Sequence, residues 1–143
     1  MDKWDKRFMN IADEVATWSS CLKRHVGCVI TKDRRIVATG YNGAPSGIPS
    51  CAERNECLRE KCMSAEDLFN CWATHAEQNA LLQAARLGIS IQDGTLYTTT
   101  EPCSLCAKLI INSGIKRVVY KEEYPDKFAR KLLTLSKIEV VKL

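Results

Sequence analysis

The sequence has no long run of apolar residues and only two histidines, His25 and His75, among its 143 residues. A membrane-spanning helix needs about 20 consecutive apolar residues, so the sequence predicts no membrane span and no membrane partner. The first five residues, Met1 to Asp5, include three charged side chains and lack the apolar core of a signal peptide. These absences predict a cytoplasmic protein.

The sequence also lacks a strong excess of positive charge. It contains 21 lysines and arginines against 17 aspartates and glutamates, which gives a net charge of +4. Thiolates of a four-cysteine zinc site would lower the net charge further, to about +2. So small a charge does not predict binding to nucleic acid. Hydrophobic residues at 45% and charged residues at 27% are typical of a globular protein, and the length suits one domain, residues 1–143.

Cysteine is abundant by contrast, with eight residues in the sequence. Because disulfides are rare in the cytoplasm, this number of cysteines indicates metal ligation. Two motifs supply a candidate site, His75-Ala76-Glu77 and Pro102-Cys103-Ser104-Leu105-Cys106. One imidazole and two thiolates are three ligands for zinc, and a fourth position left for water is typical of a catalytic site. This order of ligands is the signature of zinc-dependent nucleobase deaminases.

The spacing within the two motifs predicts that two helices begin at the metal. The cysteines of the second motif are three residues apart and share one face of a first helical turn, which the preceding proline favours. His75 and Glu77 are two residues apart, so they can serve one site only if His75 lies at a helix start. An apolar stripe over residues 76–86, with Gly88 as the stop, predicts that helix.

Hydrophobic periodicity along the chain predicts an α/β fold. Helices are expected at residues 5–20, 76–86, 103–114 and 125–135, and strands at residues 27–31, 35–41, 95–100, 116–120 and 138–141. The first two strands should form a hairpin, whereas helices join the later strands, which should be parallel. We therefore predict a three-layer α/β/α fold, a mixed five-stranded sheet with helices on both faces. Apolar stripes on the first and last helices should pack in the core: Phe8, Ile11, Ala12, Val15 and Trp18, and Phe128, Leu132 and Leu135.

Longer segments of the chain, between about residues 20 and 124, resemble a known family. They are Ser20–Gly27, Gly40–Gly47, Cys57–Arg59, Cys71–Ala80, Glu101–Ile110 and Gly114–Tyr120. With these residues the chain resembles the deoxycytidylate (dCMP) deaminases of the zinc-dependent cytidine/deoxycytidylate deaminase superfamily. The resemblance implies the cytidine-deaminase-like fold and the hydrolysis of dCMP to dUMP and ammonia, which feeds thymidylate synthesis.

The resemblance also implies roles for particular residues. His75, Cys103 and Cys106 would hold a catalytic zinc ion. Glu77 would accept a proton from the water that attacks C4 of cytosine, and would then pass protons to N3 and to the leaving ammonia. Asn42 would contact the sugar at the mouth of the pocket.

Regulation and assembly are further implications of the resemblance. Its members are commonly homo-oligomers, often hexamers, activated by dCTP and inhibited by dTTP, so dCTP and dTTP are predicted effectors, with Mg²⁺ accompanying the regulatory nucleotide. Arg24, Tyr41 and Gly43 would belong to that regulatory site, because a glycine-rich loop with exposed N–H groups can cradle phosphate. The alternative for this loop is an ordinary tight turn with solvated cations.

A cysteine-rich insertion is predicted at about residues 44–72, where no periodic pattern lasts. By resemblance, Cys21, Cys51, Cys57 and Cys71 would hold a second, structural zinc ion, which would fasten the insertion because metal-binding energy becomes folding energy. Cys62 lies in the same insertion and competes for the fourth position. Cys28 should be a small buried apolar residue and His25 a surface residue.

Other activities fit part of the pattern. A tRNA adenosine deaminase shares the zinc chemistry, but the chain lacks an evident basic surface. A deaminase of single-stranded DNA or free cytidine fits the zinc motif alone. A late-competence-type protein, in which the same domain is a zinc-stabilised interaction module, would leave Glu77 without a chemical role.

Overall fold

The computed structural model describes residues 2–143 of the chain. Its helices and strands follow one another in the order α1 (Lys3–Ala16), β1 (Gly27–Lys32), β2 (Arg35–Tyr41), α2 (Cys51–Arg54), α3 (Ala76–Leu87), β3 (Thr95–Thr100), α4 (Ser104–Asn112), β4 (Arg117–Glu122), α5 (Lys127–Ser136) and β5 (Glu139–Lys142). No helix in this part of the chain has the length and apolar character needed to cross a bilayer.

The strands form one five-stranded sheet in the order β2-β1-β3-β4-β5. Strand β1 is antiparallel to both β2 and β3, whereas β3, β4 and β5 are mutually parallel. The prediction of a mixed sheet, a hairpin and parallel later strands is therefore confirmed. Parallel neighbours place the ends of β3 and β4 at one edge of the sheet, next to the start of α4.

Helices cover both faces of the sheet, because alternate residues of each strand point to opposite sides. On one face, residues of α1 such as Phe8 and Ala12 pack with Val29, Tyr97 and Val119 of the sheet. On the other face, α3 and α4 pack on strand residues of the opposite parity. That larger cluster includes Ile30, Leu96 and Val118 from the strands and Ala80, Ala84 and Ile110 from the helices.

The core-facing sides of the first and last helices differ in part from the prediction. Helix α1 ends at Ala16, and Ile11 and Trp18 are exposed. In α5 the buried residues are Ala129 and Leu133, whereas Phe128 is 52% and Leu135 is 70% exposed. Ala129 and Leu133 pack with Ala107 of α4, and Leu132 packs against the same cluster, so Leu132 is the one predicted α5 residue that faces the core.

A buried ion pair joins α1 to the sheet. Asp5 is 1% exposed, and its two carboxylate oxygens each accept a hydrogen bond of 2.7 Å from the Arg117 guanidinium at the start of β4. The Tyr97 hydroxyl donates to the same carboxylate at 2.9 Å. The hydrogen bonds from Arg117 are the main cause of a lowered pKa of the Asp5 carboxyl.

Replacing Asp5 by Asn should destabilise the protein by about 3 kcal/mol at neutral pH, because Arg117 loses its buried partner. Urea unfolding of wild type and Asp5→Asn measures the difference. Asp13→Asn is the matched control, since its pair with Lys121 is about 40% exposed and should be worth less than about 1 kcal/mol.

The same pair also predicts a pH dependence. A carboxyl with a lowered pKa stabilises the folded state above its unfolded pKa and loses this effect as pH falls through the folded pKa. The stability difference between wild type and Asp5→Asn should therefore be largest at neutral pH and should narrow below about pH 4. A difference that stays constant to pH 2 would contradict the ion-pair account.

Candidate metal and catalytic site

Three predicted zinc ligands lie at the N-termini of α3 and α4. His75 is the N-cap residue of α3, and its backbone N–H donates to the Gln78 side chain at 2.8 Å. Cys103 is the N-cap residue of α4, and Cys106 lies in the first turn of that helix. The expectation that two helix starts meet at one site is thus confirmed. Both helix dipoles favour negative charge at this place.

The geometry of the three side chains fits zinc. His75 Nδ1 lies 3.2 Å from Cys106 Sγ and 3.4 Å from Cys103 Sγ, and all three donor atoms lie within 4.8 Å of one another. Tetrahedral zinc with nitrogen and sulfur ligands requires donor separations of about 3.5–3.8 Å. Both cysteines are buried, and His75 is half-buried. Buried soft donors at such distances are what a zinc ion requires.

The ionisation of the two thiols is unequal. The hydrogen bond from Cys106, with a further contribution from His75, lowers the pKa of Cys103 to about 4. The same contact with Cys103, together with burial, raises the pKa of Cys106 well above its ordinary value. Contact with Cys103 also raises the pKa of His75. Zinc binding requires thiolates and a neutral imidazole, so it would release protons from this cluster.

Glu77 lies beside the ligands, in the first turn of α3. It is 5% exposed, and its Oε2 lies 3.4 Å from Cys106 Sγ. Burial is the main cause of the raised pKa of its carboxyl. The Thr98 hydroxyl donates to the other oxygen, Oε1, at 2.7 Å. A carboxyl that is buried, held at one oxygen and close to the ligands at the other can exchange a proton there.

Thr98 was not singled out from the sequence, although a signal for it exists. Residues 98–100 are three successive threonines, all buried at the end of β3. Buried hydroxyl groups need hydrogen-bond partners, so polar residues at a strand end predict a contact with a site residue.

A pocket reaches from the surface to this cluster. Its lining includes His75, Glu77 and Cys103 at the cluster and three cations, Lys23, Arg24 and Arg59. Among the described residues, none of the three cations forms an ion pair with a carboxylate. The pocket therefore combines an acidic reactive end with uncompensated positive charge. Arg59 and the lining residues Ser64, Glu101 and Thr100 were not predicted from the sequence.

Asn42 also lines the pocket and is 8% exposed. Its Oδ1 accepts from the Val26 N–H at 2.9 Å, and its Nδ2 donates to the Arg24 carbonyl at 2.8 Å. Asn42 therefore fastens residues 24–26 at the pocket. Its contact with a sugar stays a prediction, which its place in the lining supports.

The three residues predicted for a regulatory site differ in their relation to the pocket. Arg24 lines the pocket described above, whereas Tyr41 and Gly43 are not among its lining residues. The Gly43 N–H donates to the Thr74 carbonyl at 3.1 Å, and the Asn42 N–H donates to the Val26 carbonyl at 3.3 Å. A cradle of exposed N–H groups is therefore wrong for Asn42 and Gly43. Their strand-like pairing instead anchors the residue before His75.

The cysteines predicted for a second zinc ion are neighbours around Cys51. Burial raises the pKa of the Cys51 thiol, and the nearby groups of Cys21, Cys71 and Cys57 raise that pKa further. Within residues 2–143, only His75, Cys103 and Cys106 bring three donor atoms within 4.8 Å of one another, so no three of these four sulfurs come that close. The second site stays a prediction. Cys28 is fully buried and His25 is exposed, as expected.

Most of the chain, including this site, is similar to a known protein family. Residues 2–122 match the family described as the cytidine and deoxycytidylate deaminase zinc-binding region. The chain belongs to this family. All three predicted zinc ligands and Glu77 lie within the matched residues.

Individual relatives support this membership. The chain is 44% identical over 124 residues to a deoxycytidylate deaminase of Mycobacterium phage D29, which covers 84% of this chain and 95% of the relative. It is 43% identical over 121 residues to a deoxycytidylate deaminase of Saccharomyces cerevisiae, covering 85% of this chain but only 38% of that longer protein. A crystal structure of the dCMP deaminase of cyanophage S-TIM5 with dCMP and dUMP matches with a TM-score of 0.84 and 32% identity, covering 100% and 99% of the two chains.

Zinc analysis of the purified chain should find about two ions per chain, one in each predicted site. Cys57→Ser should lose one ion and also loosen the insertion, because the lost metal removes folding energy. Cys62→Ser is the matched control from the same insertion and should keep both. One zinc ion per wild-type chain would exclude the second site, and loss of zinc in Cys62→Ser would assign Cys62 as a ligand instead.

Proposed function

We propose that this chain catalyses the zinc-dependent hydrolysis of dCMP to dUMP and ammonia. The observation that carries the proposal is the buried carboxyl of Glu77 beside the His75, Cys103 and Cys106 cluster, at the reactive end of the pocket. A purely structural zinc site has no need of such a carboxyl, and a zinc-stabilised interaction module would leave it unused.

The lining of the pocket supports a nucleotide monophosphate rather than a free base. A cytosine ring placed at Glu77 leaves the sugar and phosphate to extend along the pocket. There Lys23, Arg24 and Arg59 supply positive charge with no carboxylate partner. Such cations favour an anionic phosphate group. The relatives described as deoxycytidylate deaminases agree with this substrate.

Glu77 is the residue that moves protons in this reaction. When bound by His75, Cys103 and Cys106, zinc would supply Lewis-acid activation of water. Glu77 accepts the proton of the attacking water at Oε2, the oxygen on the ligand side. It then delivers that proton to N3 of cytosine. Glu77 next takes the proton of the hydroxyl now bonded to C4 and gives it to the C4 amino group, which leaves as ammonia while dUMP forms. One carboxyl therefore accepts and donates protons in turn.

Thr98 holds Glu77 in the orientation for these transfers. Its hydroxyl is bonded to Oε1, which leaves Oε2 as the oxygen facing the cluster.

Glu77→Gln should retain zinc and lose dCMP turnover by about a thousandfold or more, because the amide cannot accept and return a proton. Ammonia release and zinc content are measured on the same sample. Glu123→Gln, a change at an exposed carboxylate, is the control. Retained conversion of dCMP in Glu77→Gln would refute the assigned role.

The same ammonia assay separates the substrate classes. Wild-type protein is incubated with dCMP, deoxycytidine, dCTP and a tRNA anticodon stem. Release from dCMP alone, or much faster than from deoxycytidine, is the expected result. Release from the RNA stem would favour an adenosine deaminase, and no release from any of them would favour a late-competence-type role.

Regulation and assembly belong to the same proposal. The enzyme would act in the cytoplasm as a homo-oligomer, with dCTP and Mg²⁺ as activators and dTTP as inhibitor. This part rests on the resemblance to dCMP deaminases alone. The Asn42 and Gly43 N–H groups, which were candidates for binding an effector phosphate, are already bonded within the protein.

Initial rates at low dCMP should rise with added dCTP–Mg²⁺ and fall with dTTP, because effectors shift the equilibrium between states of different substrate affinity. The molecular mass of the zinc-loaded protein in solution, with each effector, gives the subunit number. Rates independent of both nucleotides would remove the regulatory part and leave the assignment of the reaction intact.

A further inference from the structure

A second buried acidic residue lines the pocket and has no part in the proton transfers described above. Glu101 follows β3 and is 6% exposed. Its Oε2 accepts from Arg130 Nε at 2.9 Å, and its Oε1 accepts from Arg130 Nη2 at 2.9 Å and from the Tyr124 N–H at 3.0 Å. Both oxygens are thus occupied by protein donors. This arrangement distinguishes Glu101 from Glu77, whose Oε2 faces the metal ligands.

The Glu101–Arg130 pair fixes the backbone of Tyr124. Glu101 accepts the hydrogen bond of the Tyr124 N–H, and Arg130 Nη2 donates to the Tyr124 carbonyl at 3.3 Å. Charge-assisted bonds of this kind are stronger than those between neutral groups. Tyr124 is consequently held on both sides of its Cα by one ion pair.

The side chain of Tyr124 connects this backbone to other residues of the pocket. Its hydroxyl oxygen accepts from the Ala65 N–H at 2.8 Å, inside the cysteine-rich insertion. The guanidinium of Arg24 lies 4.9 Å from the centre of its ring and donates to the Ser64 hydroxyl at 2.8 Å. Tyr124 therefore contacts both the insertion and one of the unpaired cations of the pocket.

We propose that Glu101 and Arg130 are positioning residues that act through Tyr124 on Arg24 and on residues 64–65. Their effect falls on substrate affinity, because Arg24 and Ser64 line the pocket and bond to each other, whereas Glu77 bonds to Thr98 and Cys106. The kinetic part rests on the proposed deamination of dCMP, whereas the structural part does not. Glu101, which lies two residues before the predicted zinc ligand Cys103, would then act by holding Tyr124 in place.

Glu101→Gln and Arg130→Gln should each raise KM for dCMP about tenfold or more, with kcat changed by less than about threefold. The double variant should be little worse than either single variant, because the two residues act as one unit. Arg130→Lys keeps the charge but not the two-pronged contact and should recover part of the affinity. Glu123→Gln is the matched control, since this neighbouring carboxylate is exposed and bonded to Lys142, and its KM should equal the wild-type value. Zinc content is measured for each variant.

Amide hydrogen exchange of the zinc-loaded protein tests the structural part without turnover. The Ala65 N–H should exchange at least about tenfold faster in Glu101→Gln and Arg130→Gln than in wild type or Glu123→Gln. Tyr124→Phe, which removes the acceptor, sets the expected upper value. Unchanged exchange at Ala65, or a fall in kcat with KM unchanged, would overturn the proposal. If wild type does not convert dCMP, the proposed function fails, and the exchange at Ala65 alone decides.

Discussion

Burial of ionisable groups at two converging helix N-termini is the constraint on which the rest of the structure depends. Cys103, Cys106 and Glu77 are all nearly inaccessible to water. Charged groups in such a place are costly unless they are paired, bonded to N–H groups or bound to a metal. The helix starts offset part of that cost, since their dipoles favour thiolates. Zinc would offset more, and its binding energy would then stabilise the fold itself.

The backbone around the site explains how α3 and α4 approach so closely. A side chain at Gly40 would collide with the backbone of Ala76 in the first turn of α3, so only glycine lets that turn lie on β2. The paired Gly43 and Thr74 backbones fix the residue before His75. On the other side, Asp126 accepts from the Ser104 N–H at 2.8 Å and so holds the first turn of α4. Each helix start is therefore set by contacts with segments distant in sequence.

Local sequence patterns were sufficient for the strands, the mixed sheet and the cluster of His75, Cys103 and Cys106. His75, Cys103 and Cys106 are identifiable because metal chemistry restricts residue type and spacing at the same time. Thr98 and Glu101 were missed because their roles depend on partners 21 and 29 residues away, in contacts that no local period encodes. Arg59 was missed because its place in the pocket lining depends on how the insertion folds over the site. The face of α5 was only partly predicted: Leu132 packs against the core as expected, but Ala129 and Leu133 are the buried residues and Phe128 and Leu135 are exposed.

One short segment after β4 connects the chemical end of the pocket with its binding end. Asp126 bonds to the helix that carries two zinc ligands, and Tyr124, two residues earlier, bonds to the cysteine-rich insertion. Arg130 on α5 ties the segment to Glu101, which itself lies two residues before Cys103. Because Asp126 keeps its own bond to α4, loss of the Glu101–Arg130 pair should displace Tyr124, Arg24 and the insertion while the first turn of α4 stays in place.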